Sequence, residues 1–193
     1  MLVYMIRHGQ TDWNAEGRLQ GQKDIPLNET GRRQASENGR ALKLILGGAA
    51  GEFDYVASPL GRTRDTMERL RAAMGLDPPA YRTDDRLIEV SFGDWEGFTI
   101  SELKQTVREK VKQRSRSKWD FIPPGADAES YEILSWRVGS WFNSIDRPTV
   151  CVSHGGIFRA IFRFSGMPVN EAAHAPIHQD RILRIDGRGA AWL

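Results

Sequence analysis

Short apolar runs alternate along the chain with longer stretches in which apolar residues recur every three or four positions. The runs at 2–6, 53–57 and 149–152 are continuous and brief, which is typical of buried strands. The stretches at 28–47 and 127–145 place their apolar residues on one side of a helix. Strands that alternate with helices predict an α/β sheet with helices on both faces.

Residues that typically start or end helices define the remaining elements. Ser58 and Pro59 predict the N-cap and first residue of a helix that ends near Met74, before a glycine. Asn28 predicts the N-cap of the helix that comes after it. The other predicted elements are a loop and edge strand at 78–85, a polar helix or lid at 100–118, a helix at 157–164 and a last strand at 181–185.

Length and composition narrow the class of protein. A chain of 193 residues suits one domain, or one domain with a small lid. The net charge of +2 gives no support for a nucleic-acid partner, and the single Cys151 permits no internal disulfide or thiolate cluster. The first residues do not match a signal peptide, and no run approaches the ~18 apolar residues of a membrane span. We therefore expect a cytoplasmic protein without membrane contact.

Polar and basic residues stand at the ends of three predicted strands. Arg7 and His8 end the first strand, Arg62 comes after the second, and His154 comes after the third. Ligands of α/β sheets bind at the carboxyl ends of strands, and guanidinium groups match the oxygens of a phosphoryl group. A neutral imidazole can attack phosphorus. The pattern indicates a phosphate site, although strand ends also carry polar residues that only solvate the rim.

A leaving alkoxide would need a proton, and a carboxyl group is the natural donor. Glu89 is the best candidate by position, after an apolar pair and before Gly93, but spacing alone does not single it out. Gly155 opens the helix after the third strand, where backbone N–H groups attract phosphate.

Four segments in chain order carry a resemblance to one family. They are RHGQTDWN at 7–14, SPLGRT at 58–63, LIEVSFGDWEG at 87–97 and SHGG at 153–156. The set resembles the motifs of the histidine phosphatase superfamily, which includes the cofactor-dependent phosphoglycerate mutases. The resemblance covers nearly the whole chain. It implies a three-layer α/β/α sandwich around a mostly parallel mixed sheet, phosphoglycerate mutase-like, as a single domain of residues 1–193 with a lid insertion at about 98–126.

The resemblance also implies a role for each matching residue. His8 would be the phosphorylated nucleophile, and Glu89 would be the proton donor and later the base that activates water. The phosphoryl group would be bound by Arg7, Arg62 and His154, with Asn14 and Thr11 as loop contacts or supports. No metal and no cofactor are expected. The expected partner is a small phosphomonoester, and the family allows monomers as well as homodimers.

Hydrolases and mutases of the family differ in what accepts the phosphoryl group. A mutase must shield its phosphohistidine from water. The region between Gly97 and Pro123 is short, and little chain remains after the last predicted strand, which favours water and therefore a phosphatase. Phosphoglycerate mutase activity is the alternative. A phosphate-binding module without chemistry is a third hypothesis, which the intact His8, Glu89 and His154 oppose.

Several further residues leave alternatives open. The lid could be a solvated basic helix, or some of its cations could reach the cleft and select a substrate with a second anionic group. His174 and His178 are four apart, but Pro176 between them disfavours a metal-binding helix. Gln179 is a candidate site contact, while Glu129 and Arg137 form either an ion pair or a substrate contact. The lid cations are Lys104, Arg108, Lys110, Lys112, Arg114, Arg116 and Lys118.

Overall fold

A single sheet of six strands forms the centre of the computed structural model, which describes residues 1–193. The strands are β1 (Val3–Arg7), β2 (Asp54–Ala57), β3 (Arg82–Thr83), β4 (Thr149–Ser153), β5 (Ile182–Asp186) and β6 (Gly189–Trp192). Their order across the sheet is β3-β2-β4-β1-β5-β6. The first four are parallel, and β5 and β6 are antiparallel to their neighbours. The sheet is therefore mixed and mostly parallel.

Helices cover both faces of this sheet. They are α1 (Asp12–Ala15), α2 (Glu29–Leu46), α3 (Gly61–Met74), α4 (Ile100–Thr106), α5 (Arg108–Arg116), α6 (Tyr131–Asn143), α7 (Gly155–Phe164) and α8 (Val169–His174). Successive side chains of a strand point to opposite faces. Accordingly, Val3 and Met5 pack against α6, α7 and α8, while Tyr4 and Ile6 pack against α2 and α3. The predicted α/β/α sandwich is confirmed.

The start of α3 differs from the prediction that Ser58 is its N-cap and Pro59 its first residue. The helix begins at Gly61, and its cap comes from a distant loop. Asp24 accepts hydrogen bonds from the backbone N–H of Gly61 at 2.6 Å and of Arg62 at 3.3 Å. The Ser58 hydroxyl instead hydrogen-bonds His154, one of the candidate site residues, so it does not cap the helix.

The lid segment, residues 98–126, contains two helices where one was predicted. Val107 adopts a non-helical conformation that ends α4 and redirects the chain into α5. This break lets Leu103 and Val111 pack together with Trp95 in a small third cluster. Three elements were also missed: the single turn α1, the six-residue helix α8, and β6, whose exposed glycine and alanines lack a strand pattern.

None of the helices combines the length and the apolar character that a membrane crossing requires.

Candidate active site

Pairing of β1 with β4 brings two of the predicted residues together. Arg7 lies opposite Ser153 in the parallel register, and the His8 N–H donates to the Ser153 carbonyl at 2.9 Å. A histidine comes directly after each strand, so His8 and His154 lie side by side, with ring centroids 5.2 Å apart. Both side chains are buried.

One ring nitrogen of His8 is hydrogen-bonded to the backbone, and the other has no hydrogen-bond partner in the chain. Its Nδ1 lies 2.8 Å from the Gly9 carbonyl oxygen, which can only accept, so Nδ1 carries the proton and Nε2 keeps its lone pair. Burial lowers the pKa of His8 well below the ordinary value, and the charges of Arg62 and Arg7 lower it further. A neutral imidazole with a free Nε2 is the form that can act as a nucleophile.

Two arginines flank this histidine, each fixed by backbone carbonyls. Arg62 is buried and donates to the carbonyls of Lys23 and Gly21, both at 2.7 Å. Arg7 donates through Nη1 to the Ile177 carbonyl at 3.0 Å, while its buried Nε has no partner in the chain. Burial lowers the pKa of Arg7 to about 10, so it remains charged at neutral pH.

A cavity of about 200 Å³ opens onto these groups. Of the predicted site residues, it is lined by Arg7, His8, Asn14, Arg62, Glu89 and Gly155. The remaining predicted residues, Thr11, His154 and Gln179, do not line it.

His154 lies next to His8 and shares a hydrogen bond with Ser58, Nε2 to Oγ, at 2.8 Å. Its Nδ1 is buried without a partner. Burial lowers the pKa of His154 well below the ordinary value, and Arg62, His8 and Arg7 add to the effect. Both rings are therefore neutral in the folded chain near pH 7.

The carboxylate of Glu89 is held at the start of α7. The Gly156 N–H donates to both of its oxygens, at 3.0 and 3.2 Å, and the Val90 N–H donates to Oε1 at 2.9 Å. A Cβ on Gly156 would lie 2.3 Å from Glu89 Oε1, so only glycine fits this contact. Carboxylate and nucleophile thus line the same cavity from different elements.

Thr11 and Gln179 hold the loop that comes after His8. Thr11 caps α1 by accepting from the Asn14 N–H at 3.2 Å, and it hydrogen-bonds the side chain of Gln20. Gln179 donates to the His8 carbonyl at 3.0 Å and to Asn14 Oδ1 at 3.1 Å. Of the loop residues that these two contact, Asn14 and Gln20 line the cavity.

Three cations that we call the basic cluster, Arg114, Lys118 and Arg159, line the same cavity and have no acidic partner in the chain. Tyr131 lies between two of them, with its ring centroid 6.0 Å from Lys118 Nζ and 5.8 Å from Arg159 Cζ. Burial lowers the pKa of Lys118 to about 7, and the charges of Arg159 and Arg114 contribute. The other five lid cations are exposed: Lys104, Arg108, Lys110, Lys112 and Arg116.

Arg159, Tyr131 and Arg18 also line the cavity, and they were not among the residues predicted for the site. Arg159 comes four residues after Gly155, so it lies one helical turn further along the same face of α7. That spacing could have identified it. No comparable signal identifies Tyr131, which comes from a separate helix.

Of the two alternatives for Glu129 and Arg137, the structure shows the ion pair, with Arg137 Nη2 and Glu129 Oε2 2.9 Å apart. Neither residue lines the cavity. The structure contains no group of three or more His, Cys, Asp or Glu side chains with the geometry to hold a metal ion.

The fold and the grouping of two histidines, two arginines and a glutamate define the class of protein, an α/β enzyme of the phosphatase and mutase type. More specifically, the chain belongs to the histidine phosphatase superfamily (branch 1), whose family model matches residues 3–193. The resemblance predicted from the four motifs is confirmed.

Some similar proteins are named as mutases, and one is described as a phosphatase. A Citrobacter koseri protein named "Probable phosphoglycerate mutase GpmB" is 33% identical over 198 residues, which cover 99% of this chain and 87% of the relative. The solved structure of TTHB049 from Thermus thermophilus is 29% identical, with a TM-score of 0.76 and coverage of 100% and 99%. A structure from Escherichia coli K-12, provisionally described as an alpha-ribazole-5'-P phosphatase, is 26% identical, with a TM-score of 0.79 and coverage of 100% and 94%.

Proposed function

We propose that this chain is a phosphoric monoester hydrolase that acts on a small phosphorylated metabolite through a phosphohistidine at His8, without a metal. One observation carries the proposal. The proton on His8 Nδ1 is fixed by the Gly9 carbonyl, and burial beside two arginines keeps the ring neutral, so Nε2 remains a nucleophile in the cavity.

In the first step His8 Nε2 attacks phosphorus, and the bond between phosphorus and the ester oxygen breaks. Arg7 and Arg62 stabilise the charge on the equatorial oxygens. Protonated Glu89 gives its proton to the leaving oxygen, which departs as an alcohol. The products of this step are phosphohistidine, the free alcohol and the Glu89 carboxylate.

In the second step water replaces the alcohol. The Glu89 carboxylate takes a proton from water, whose oxygen attacks phosphorus while the bond between phosphorus and Nε2 breaks. Inorganic phosphate leaves, and His8 and Glu89 return to their starting protonation states. The buried ring of His154 packs beside the nucleophile, with its centroid 5.2 Å from that of His8.

Phosphoglycerate mutase activity is the alternative, and the names of relatives support it. The lid favours hydrolysis, because its two helices are only 7 and 9 residues long and pack on a small cluster of their own. A short cover gives a phosphohistidine less protection from water.

The test is hydrolysis of 4-nitrophenyl phosphate across pH with excess chelator, for the parent chain and His8→Ala. We expect chelator-resistant turnover that falls by at least about a thousandfold in the variant, as nucleophile removal does in other enzymes. His174→Ala is the matched control, since His174 is exposed and outside the cavity. A folded parent without turnover on any phosphomonoester, or with full activity in His8→Ala, contradicts the proposal; phosphoglycerate isomerisation would then be assayed.

The basic cluster indicates the chemical class of the substrate. Arg114, Lys118 and Arg159 are three cations without acidic partners, in addition to the two arginines beside His8. A phosphoryl group on Arg7 and Arg62 leaves the cluster uncompensated, and burying unpaired charge is costly. We therefore propose a substrate with a second anionic group, a carboxylate or another phosphate, that contacts this cluster.

A further inference from the structure

The residue proposed as proton donor stands on a loop with little structure of its own. Glu89 lies between two short 3₁₀ turns, Asp85–Leu87 and Gly93–Trp95, and belongs to no strand or α-helix. Because proton transfer needs a donor within hydrogen-bond reach of the leaving oxygen, something else must hold this loop.

Arg137, on α6, binds the loop through its backbone. Its Nη1 donates to the Arg86 carbonyl at 2.9 Å and also to the carbonyl of Ile88, and its Nη2 donates to the Glu89 carbonyl at 3.1 Å. Three carbonyls within four residues are thereby fixed on one planar guanidinium. The side chain of Arg137 does not line the cavity, so it acts on the loop and not on a ligand.

Glu129 completes the arrangement from the other side of the loop. It forms a bidentate pair with Arg137, with Nε to Oε1 at 3.1 Å and Nη2 to Oε2 at 2.9 Å. Its Oε2 also accepts from the Ser91 N–H at 3.1 Å, and its own N–H donates to the Ser91 carbonyl at 2.9 Å. Hydrogen bonds thus hold the backbone on both sides of Glu89, at Ile88 and at Ser91.

We propose that Arg137 and Glu129 are positioning residues that set the place of the Glu89 carboxyl group for proton transfer to the leaving oxygen. This inference rests on the proposed function, in which Glu89 is the general acid. General acid catalysis contributes roughly 10²–10⁴-fold, and a displacement of about 1 Å can cost on the order of 100-fold. Loss of the pair therefore removes much of the benefit of Glu89 while leaving the phosphate-binding groups in place.

Leaving-group dependence separates this role from a general structural one. An alkoxide is a poor leaving group and needs the proton, whereas 4-nitrophenolate leaves readily without it. Misplacing Glu89 should therefore slow the hydrolysis of an alkyl phosphate much more than that of 4-nitrophenyl phosphate. Damage to the fold or to phosphate binding would slow both by the same factor.

The experiment measures kcat/KM for glycerol phosphate and 4-nitrophenyl phosphate in the parent, Arg137→Met, Arg137→Lys and Glu129→Gln. We expect Arg137→Met to lose about 10- to 100-fold on the alkyl ester and less than about threefold on the aryl ester. Arg137→Lys should recover part of the loss. Arg82→Met is the matched control, since Arg82 is an ion-paired arginine on the edge strand β3, and both esters should be unaffected.

Equal losses on the two esters in folded variants, or no loss, would overturn the positioning role. If Arg137→Met does not fold, Glu129→Gln decides, because it removes a charge without changing shape. Glu89→Gln separates the acid role of Glu89 from the positioning role of Arg137 and Glu129. This variant should lose more activity on the alkyl ester than on the aryl ester, and its loss should be larger than that of Arg137→Met. If it shows no such difference, both roles fail; if it shows the difference and the Arg137 and Glu129 variants do not, only the positioning role fails.

Discussion

The absence of a side chain at Gly156 allows its backbone to approach the Glu89 carboxylate closely. Its N–H donates to both oxygens of Glu89, and an added Cβ would lie 2.3 Å from Oε1 and 2.9 Å from a methyl group of Leu134. Real Cβ atoms do not approach other atoms so closely. A methyl group at position 156 must therefore move the carboxylate or the start of α7.

We expect Gly156→Ala to lower kcat/KM for an alkyl phosphate by about 10- to 100-fold, because the carboxylate is displaced from its hydrogen bonds. Gly139→Ala is the matched control, since its Cβ would meet only the Phe164 ring, at 3.4 Å. That variant should keep its activity and gain up to about 1 kcal/mol from helix propensity. Full activity in a folded Gly156→Ala variant would contradict the importance of this contact.

At the residue scale, the sequence predicts site residues at strand ends better than those on other elements. Arg7, His8 and His154 stand at or directly after the ends of strands, so their meeting at one sheet edge was predictable. Glu89 needed the family resemblance, because it stands on an irregular loop. Tyr131 was not predicted at all, since no local pattern shows that its helix reaches the cavity.

At the scale of the element, local signals succeeded where the stabilising contacts are themselves local. Helix α2 is capped by its own Asn28, as predicted, and Gly75 ends α3 with a left-handed conformation. The predicted start of α3 was wrong because Asp24, 37 residues away from Gly61, provides the cap. A contact between distant segments leaves no trace in the local pattern.

The lid element carries a prediction about substrate choice. Arg114 on α5 and Lys118, just beyond the end of that helix, line the cavity, whereas Lys104 on α4 and Arg108 on α5 are exposed. We expect the double change of Lys118 and Arg114 to Gln to lower kcat/KM for 3-phosphoglycerate by about tenfold or more, since hydrogen bonds to charged groups contribute ~1.5–3 kcal/mol. Activity on 4-nitrophenyl phosphate should change little. Gln at positions 104 and 108 is the matched control; equal effects of the two pairs would refute the subsite.

The same element predicts a pH dependence. The pKa of Lys118 is lowered to about 7, and Arg114, Arg159 and Tyr131 surround it, so the amine is charged below about pH 7 and neutral above. The ratio of kcat/KM for 3-phosphoglycerate to that for 4-nitrophenyl phosphate should therefore fall as pH rises through about 7. Lys118→Gln should abolish this fall of the ratio with pH. A ratio independent of pH in the parent would show that Lys118 does not contact the substrate.

At the scale of the whole molecule, the site lowers the stability of the fold in acid. His8 and His154 are buried as neutral rings beside two arginines, and both pKa values are lowered. An unfolded chain binds a proton at each histidine below the ordinary pKa of about 6.5. The folded chain does not, so the grouping that keeps His8 nucleophilic makes the fold sensitive to acid.

The sign of this effect is fixed by proton binding. Below about pH 6.5 the unfolded state binds more protons, so the free energy of unfolding falls as pH falls, by up to about 1.4 kcal/mol per pH unit for each histidine. The carboxylates with lowered pKa values, at Asp84 and Glu102 for example, lose their stabilising effect only nearer about pH 4. Lys118 contributes a slope only above about pH 7. The interval from about pH 5 to 6.5 therefore isolates the two histidines.

Chemical denaturation across that interval, in phosphate-free buffer, measures the slope directly. We expect the parent to lose stability steeply, His8→Gln and His154→Gln each to remove about half of the slope, and His174→Ala, at an exposed position, to leave it unchanged. Adding inorganic phosphate should stabilise the parent, because the anion binds the folded state only. A slope in the parent equal to that of a variant carrying both His8→Gln and His154→Gln would mean that the buried rings are protonated in the fold. His8 would then lack the lone pair that its proposed role as nucleophile requires.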